Sequence, residues 1–357
     1  AVAGTHGKTT TTSMLASVMT HGGFEPTFVI GGRVKSFSSN ALLGKGQYIL
    51  AEADESDGSF LYLNPVISVI TNIDKDHLAN YGGDPARLEQ AFLEFAHHLP
   101  FYGLLVTCLD DPVIRKLLPE FNRPVLTYGL DVEADIHATD LDQHGMVSRF
   151  KVCTGEEQFP VEIRCGGEHN VRNALATIAV ARELGMPMVD ILSSLSDFSG
   201  IQRRFDVVGS YVVDDDINDI LVIDDYAHHP REIESILKAV RSGWPERRIV
   251  TVFQPHRYSR TRDLFEDFVQ VLSGTDVLLL TEVYAAGEQP ISGVDGKTLS
   301  GAIRHRGRVD PVYIENIEDI LDEMPVLLKE HDVVLLIGAG NISMLADRIR
   351  KEWRLAG

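Results

Sequence analysis

The chain is short of cysteine, of basic charge and of long apolar runs, and each shortage removes a class of protein. Its 357 residues include three cysteines, Cys108, Cys153 and Cys165. Their spacing matches no metal site and any disulfide scheme leaves one over, which fits a reducing cytoplasm. Lys and Arg number 33 against 52 Asp and Glu, a net charge of −19. A surface that acidic does not displace counterions from nucleic acid, which argues against nucleic-acid partners. An anionic small molecule would have to be held by a few local cations and metal ions against the overall field. No apolar run reaches about 18 residues, so no membrane span is expected. No signal peptide, internal repeat or low-complexity tract stands out.

What is there begins at once. Gly4-Thr-His-Gly-Lys-Thr9 reads as a phosphate-binding loop, a turn rich in backbone N–H groups that runs into a helix over Ser13–Met19. The general pattern G-x-x-x-x-G-K-[ST] wants a further Gly where Val2 stands, so this is a shorter form. Gly4, Thr5, His6, Gly7 and Thr10 would cradle phosphates, Lys8 would reach the β/γ oxygens, and the Thr9 hydroxyl would ligate Mg²⁺. Such a loop follows a buried strand, and only Ala1-Val2-Ala3 precede it. The chain is therefore expected to start inside a domain.

Apolar runs at Tyr48–Ala51, Val66–Ile70 and Leu104–Thr107 are continuous rather than alternating, as in parallel strands covered on both faces. From about Tyr128 to Cys165 the pattern turns polar and β-branched, which suggests appended antiparallel strands. Asn170–Gly185 reads as a helix closed by Gly185 and Pro187. A second series follows, with strands at Leu221–Ile223, Arg248–Phe253, Asp276–Thr281, Pro311–Ile314 and Val333–Ile337. Helices are expected between them, at Pro230–Val240 and Arg260–Leu272 among others. The fold class is α/β, with a mostly parallel ATPase-type domain at 1–203 and a Rossmann-like, doubly wound domain at 204–357.

Ligands of parallel sheets bind just past the strand ends. Glu52, in Glu52-Ala-Asp-Glu-Ser-Asp57, follows one such end and offers oxygen to a hard metal; an acidic solvated turn is the alternative. His77 follows another, though a lone His is more often structural than a ligand. In Asp224-Asp-Tyr-Ala-His-His-Pro230 the two histidines point different ways, so one at most faces a given ligand. Arg257 and Arg260 stand three apart at a helix start and are placed to approach one carboxylate; an exposed basic face is equally compatible. Gly338-Ala-Gly340 lacks the third glycine of a dinucleotide fingerprint, since Ser343 stands there, and reads as a tight strand–helix turn.

Taken together and in this order, Gly-Thr-His-Gly-Lys-Thr, Glu-Ala-Asp-Glu-Ser-Asp, Thr-Asn-Ile-Asp-x-Asp-His, His-Asn-Val-Arg-Asn-Ala-Leu, Arg-Arg-Phe-Asp, Asp-Asp-Tyr-Ala-His-His-Pro and Gln-Pro-His-Arg-Tyr-Ser-Arg-Thr-Arg resemble the Mur ligases. The resemblance runs essentially the full length and is closest to the branch that adds L-alanine to UDP-N-acetylmuramate. It implies a bacterial cytoplasmic enzyme of peptidoglycan synthesis whose three domains hold the UDP-sugar, ATP and the amino acid, with this chain resembling the second and third. The resemblance puts Lys8 on the ATP phosphates, Thr9 and Glu52 on one Mg²⁺, and His77 with Glu52 on a second. It puts Asn173 at the adenine, Arg204 at the γ-phosphate and Asp225 at the ribose. Tyr226, His228, Arg257 and Arg260 would receive L-alanine, the arginines taking its carboxylate, and His228 would orient the amine or accept its proton. Other branches carry a carbamylated lysine where Phe92 stands here.

The implied reaction makes an acyl phosphate from ATP and the lactyl carboxylate, which the amine of L-alanine then attacks. Lys8, Arg204 and the metal ions would offset the charge that gathers in transfer. The nearest alternative is a recycling ligase that attaches a tripeptide to the same UDP-sugar. A P-loop kinase or motor NTPase is a more distant one. The 357 residues alone are expected to bind nucleotide without turnover.

Overall fold

The structure, a computed structural model, describes residues 1–32, 35, 40–76, 78–215 and 217–356. His77, expected to be a metal ligand, lies outside the described residues. The chain divides into two units, Ala1–Gln202 and Arg203–Gly357.

The first unit is built on a seven-stranded sheet in the order Val2–Ala3, Ile67–Ile70, Leu104–Cys108, Val125–Gly129, Ile136–His144, Val147–Thr154, Glu157–Ile163. Its first five strands are parallel and its last two antiparallel. The antiparallel section expected over Tyr128–Cys165 is met in part: Val147–Thr154 and Glu157–Ile163 are antiparallel, but Ile136–His144 also pairs parallel with Val125–Gly129, a parallel strand that the apolar runs did not mark. A small three-stranded sheet, Ala41–Leu42, Thr27–Val29, Ile49–Ala51, continues past Val2, which bridges Glu52 in parallel fashion. That bridge carries Glu52 to the strand end where the phosphate loop starts.

Helix Lys8–His21 is buried on nearly every side, although it opens with four β-branched threonines. Their hydroxyls resolve the conflict: Thr12 donates to the Lys8 carbonyl at 2.9 Å and Thr11 to Asn173 Oδ1 at 3.2 Å. Ser13 likewise donates to the Thr9 carbonyl at 2.6 Å. Bonding back by four residues lets polar side chains enter a core without orphaned groups. Helix Pro85–His97 starts on Asp84, whose carboxylate accepts the Ala86 N–H, and buries Phe92 edge-on to Phe60 at 5.3 Å.

The second unit holds a seven-stranded sheet in the order Val312–Tyr313, Val277–Leu280, Ile249–Phe253, Val333–Ile337, Ile220–Asp225, Asp206–Val212, Arg354–Leu355. The first five are parallel, with the late strand Val333–Ile337 inserted between two earlier ones. The strand order reverses there, so the loops after Phe253 and Ile337 flank a crevice. The antiparallel strands Asp206–Val212 and Arg354–Leu355 escaped the sequence reading. The first is broken by a bulge between Val207 and Gly209, which spoils its alternation. The expected helix Arg260–Leu272 is two pieces, Tyr258–Asp263 and Phe265–Leu272. Leu264 leaves helical geometry between them at φ −115°, with no Gly or Pro to mark the break.

Candidate functional site

In the first unit the loop between Ala3 and Lys8 is clamped to the end of the neighbouring strand. Thr5 and His6 donate their backbone N–H groups to the carbonyl and side-chain oxygens of Asn72, at 3.1 and 2.8 Å. Thr71 Oγ1 and Asn72 Nδ2 donate back to the His6 carbonyl at 2.6 and 2.9 Å. The clamp explains both glycines. Gly4 (φ +125°) has no room for a Cβ, which would stand 2.1 Å from Thr71 Oγ1 and 2.9 Å from the Thr71 backbone nitrogen. Gly7 (φ +85°) would place one 2.7 Å from Asn173 Oδ1. Gly7 is also the N-cap of the helix and supplies no capping side chain. The first-turn N–H groups of Lys8, Thr9 and Thr10 are therefore left without a capping side chain at the positive end of the helix dipole, an arrangement suited to an anion.

Lys8 folds back over this loop. Its Nζ donates to the Gly4 carbonyl (2.7 Å), the Thr5 carbonyl (3.3 Å) and Glu55 Oε2 (2.7 Å). Glu55 is 1 % exposed, and burial pushes its carboxyl up from the ordinary value against the pull of Lys8. Beside the loop, the Thr9 hydroxyl donates to Glu52 Oε1 at 2.7 Å, and Glu52 Oε2 accepts the Gly31 N–H at 2.7 Å. A hydroxyl and a carboxylate side by side at a phosphate loop are the oxygen donors that Mg²⁺ takes. His6 Nε2 lies 3.2 Å from Asp74 Oδ2, which keeps that ring on the strand-end turn. Asn173 stands against Gly7 and Thr11 and donates to Asn170 Oδ1 at 3.3 Å.

The second unit assembles its polar residues around a row of rings. The Arg203 and Arg204 guanidinium groups lie over the Tyr226 ring, 4.9 and 5.1 Å from its centre. Tyr226 meets His228 edge-on at 5.4 Å, His228 meets His256 at 5.9 Å, and His256 stacks flat on Tyr284 at 5.5 Å. His228 Nδ1 is 2.9 Å from the Tyr226 carbonyl, an acceptor only, so Nδ1 carries a proton, and Glu232 Oε2 lies 3.5 Å from the same nitrogen. His229 is buried and caps helix Pro230–Gly243 with Glu232, so the two histidines divide, one to structure and one to the row. Arg260 is 8 % exposed, with Nη1 3.5 Å from His256 Nδ1. Burial, then the charges of Arg260 and Arg257, depress His256 to about 4, so its ring is neutral near pH 7.

Arg257 precedes the helix instead of lying in it. It holds φ +71°, a conformation costing a non-glycine residue about 1–3 kcal/mol and commonest at functional sites. It is also exposed, in contrast to Arg260. Asp225 is buried, its two oxygens accepting the backbone N–H groups of Phe205 and Ala227 at 2.6 Å each. Burial raises it to about 6 and its neighbour Asp224 to about 7, Arg204 and Arg203 respectively opposing the rise. The Gly338–Gly340 turn is the tight strand–helix connection expected. Its Gly338 carbonyl accepts from Arg203 Nη2 at 2.8 Å, and Gln254 Nε2 donates to Asn341 Oδ1 at 2.7 Å.

Residues 2–181 match the Mur ligase middle domain, and residues 203–340 the Mur ligase glutamate ligase domain. The chain belongs to the Mur ligase family. The family's members are ATP-dependent ligases of peptidoglycan synthesis that use Mg²⁺. The chain is 30 % identical to UDP-N-acetylmuramate-alanine ligase MurC of Thermotoga maritima, with 98 % of this chain and 74 % of that one covered and a TM-score of 0.80. It is 29 % identical to the UDP-N-acetylmuramate:L-alanyl-gamma-D-glutamyl-meso-diaminopimelate ligase of Neisseria meningitides, over 57 % of this chain and 66 % of that one, with a TM-score of 0.51. MurF of Thermotoga maritima in complex with ADP, at 20 % identity over 98 % of this chain and 79 % of that one, shares the fold with a TM-score of 0.76.

Three participants went unnamed in the sequence reading. Glu55 lay in an acidic run where one carboxylate looks like another. His256 lay in the quoted Gln-Pro-His-Arg stretch, where the arginines drew the attention. Tyr284 offered no signal, since its strand end carries no motif. Among the described residues no helix is long and apolar enough to cross a membrane, and the three cysteines are buried and free.

Proposed function

We propose that the reaction is the joining of L-alanine to the lactyl carboxylate of UDP-N-acetylmuramate at the expense of ATP. The observation that carries the choice of amino acid is the 30 % identity to an alanine ligase over 98 % of the chain. Phe92 supports it: a fully buried ring packed on Phe60 leaves no place for a carbamylated lysine. The tripeptide-adding alternative rests on 29 % identity over 57 % of the chain, and a murein peptide ligase of Psychrobacter arcticus shares the fold over 98 % of the chain at 23 % identity.

In this reading the first-turn N–H groups and Lys8 take the ATP phosphates. Thr9 and Glu52 hold Mg²⁺, which when bound offsets phosphate charge. Asn173 serves the adenine, and Asp225 the ribose through the second lone pair that each of its oxygens retains. Arg204, oriented by the Tyr226 ring, meets the γ-phosphate. A lactyl carboxylate oxygen attacks the γ-phosphorus, the bond to ADP breaks, and an acyl phosphate forms. Arg260 and Arg257 take the carboxylate of L-alanine. Its amine, once neutral, attacks the acyl carbon and inorganic phosphate leaves. His228 Nε2 is the proton acceptor of suitable type, with Nδ1 held by the Tyr226 carbonyl.

The test is competition. The full-length enzyme, with a UDP-sugar domain joined to these residues, is given ATP, Mg²⁺, UDP-N-acetylmuramate and equal amounts of L-alanine and the tripeptide, and the UDP-linked products are weighed by mass spectrometry. The alanyl product is expected, and preferential tripeptide transfer overturns the reading. Saturation-transfer NMR of L-alanine on the chain gives a second readout that needs no turnover. Loss of the signal in Arg260→Ala is the expected result.

A further inference from the structure

The lysine of the phosphate loop is already fully occupied. An ammonium group has three protons, and Lys8 gives them to two loop carbonyls and to Glu55. Glu55 in turn depends on Lys8. Its Oε2 has the lysine at 2.7 Å, and its Oε1 is buried with no hydrogen-bond partner among the described residues. Asp54 stands 4.0 Å from the same ammonium but is largely exposed, so water already solvates it. The backbone of Glu55 is fixed from outside: its carbonyl accepts the Tyr81 hydroxyl at 2.5 Å. The carboxylate thus gives the loop lysine the negative charge and the contact distance that a phosphate oxygen would offer.

We propose that Glu55 is a positioning residue, an in-chain counter-ion that stands in for phosphate on Lys8 and is exchanged for it when nucleotide binds. This rests on the nucleotide reading of the loop and adds a competitor within it. With Glu55 in place, the lysine is kept aimed across the loop and its charge is neutralised in a buried setting. An arriving phosphate gains the ammonium only by displacing a carboxylate. A departing phosphate is replaced by that carboxylate, which speeds its release. Glu55 therefore weakens nucleotide binding and favours turnover.

Glu55→Gln keeps the size and a hydrogen-bond acceptor but removes the charge. By calorimetry, ADP and ATP should bind Glu55→Gln about tenfold more tightly than the wild type, the scale of one charge-assisted hydrogen bond. In the Lys8→Met background the same change should leave nucleotide affinity unaltered, because the competition is for the ammonium. A readout without nucleotide comes from thermal unfolding. Lys8→Met should lower the midpoint by stranding a buried carboxylate, and adding Glu55→Gln should restore most of the loss. Should Glu55→Gln fail to fold, Glu55→Asp, whose carboxylate is drawn back from Lys8, is expected to tighten binding in the same sense. Unchanged or weaker nucleotide binding in a folded Glu55→Gln overturns the inference and spares the nucleotide reading. Absence of nucleotide binding by the wild-type protein overturns both.

Discussion

The two units present their hydrogen-bond donors and cations by opposite means. The first builds with main chain: glycines at positions 4 and 7, unsatisfied first-turn N–H groups, and a single lysine kept neutralised by Glu55. The second builds with side chains: guanidinium groups laid on the Tyr226 ring and Arg260 beside a neutral His256. In a chain of net charge −19 both units set carboxylates against their cations: Glu55 lies 2.7 Å from Lys8, and Asp224 and Glu232 lie 3.8 Å from Arg203 and Arg204. In the second unit the Tyr226 ring also holds the guanidinium groups, without cancelling their charge. The main-chain arrangement therefore depends on space, and the side-chain arrangement on ring faces together with charge.

That contrast can be broken from either side, and the largest effect is expected at Lys8. In the full-length enzyme Lys8→Met should lower ATP-dependent turnover by about a hundredfold or more, the scale of losing a charge stabiliser in transfer. It should also destabilise the first unit by about 3–5 kcal/mol, the cost of leaving one partner of a buried pair bare; turnover within tenfold of wild type would mean that the loop works through its amides alone. Gly4→Ala comes next. Its methyl collides with the Thr71 backbone as well as its side chain, and a loss of about 3 kcal/mol in urea unfolding is expected. Gly7→Ala should cost less, since Asn173 Oδ1 is the end of a side chain that can move.

In the second unit the corresponding change is to charge shape. Arg260→Lys keeps the charge but loses the planar fork, and should weaken L-alanine binding about tenfold in NMR titration. Equal affinity would show that a point charge suffices there. The last effect concerns pH. Asp224, raised from 3.8 to about 7, binds its proton more tightly in the folded protein than in the unfolded chain. Its contribution to stability is therefore greatest at low pH and is lost as pH rises from about 4 to about 7. Asp225, raised to about 6, acts in the same sense. Asp224→Asn should flatten the fall in unfolding free energy between pH 4.5 and 7.5, with a residual slope from Asp225; an unchanged slope would assign the fall elsewhere. His256, depressed to about 4, acts oppositely, its contribution fading as pH drops from about 6.5 to about 4.

Much of the fold was legible because parallel strands buried on both faces leave continuous apolar runs, as at Ile67–Ile70 and Val333–Ile337. Among the strands that were missed, Asp206–Val212 and Arg354–Leu355 lie at one edge of their sheet, where one bulge or two residues suffice and no run accumulates. Thr27–Val29 and Ala41–Leu42 are similarly short, and Val125–Gly129, inside its sheet, mixes polar residues into its five positions. The candidate site followed the same rule. Lys8 and Thr9 stood out as candidates because the phosphate-loop pattern sets residue types at fixed offsets, and Glu52 because it follows a strand end. The sharing of Glu52 between the Thr9 hydroxyl and the Gly31 amide was not, since it joins residues 43 and 21 positions apart.

By itself, then, the sequence determined the α/β class, the phosphate loop and the order of motifs that places the chain among the Mur ligases. These are local patterns, set by side-chain period and by backbone positions that only glycine fills. Tertiary structure decided which carboxylate of the Glu52–Asp57 run serves the lysine and which of two adjacent histidines caps a helix. It also decided that His256 and Tyr284 complete the row of rings. Those choices depend on burial and on contacts between distant strand ends, and a linear pattern carries no record of either.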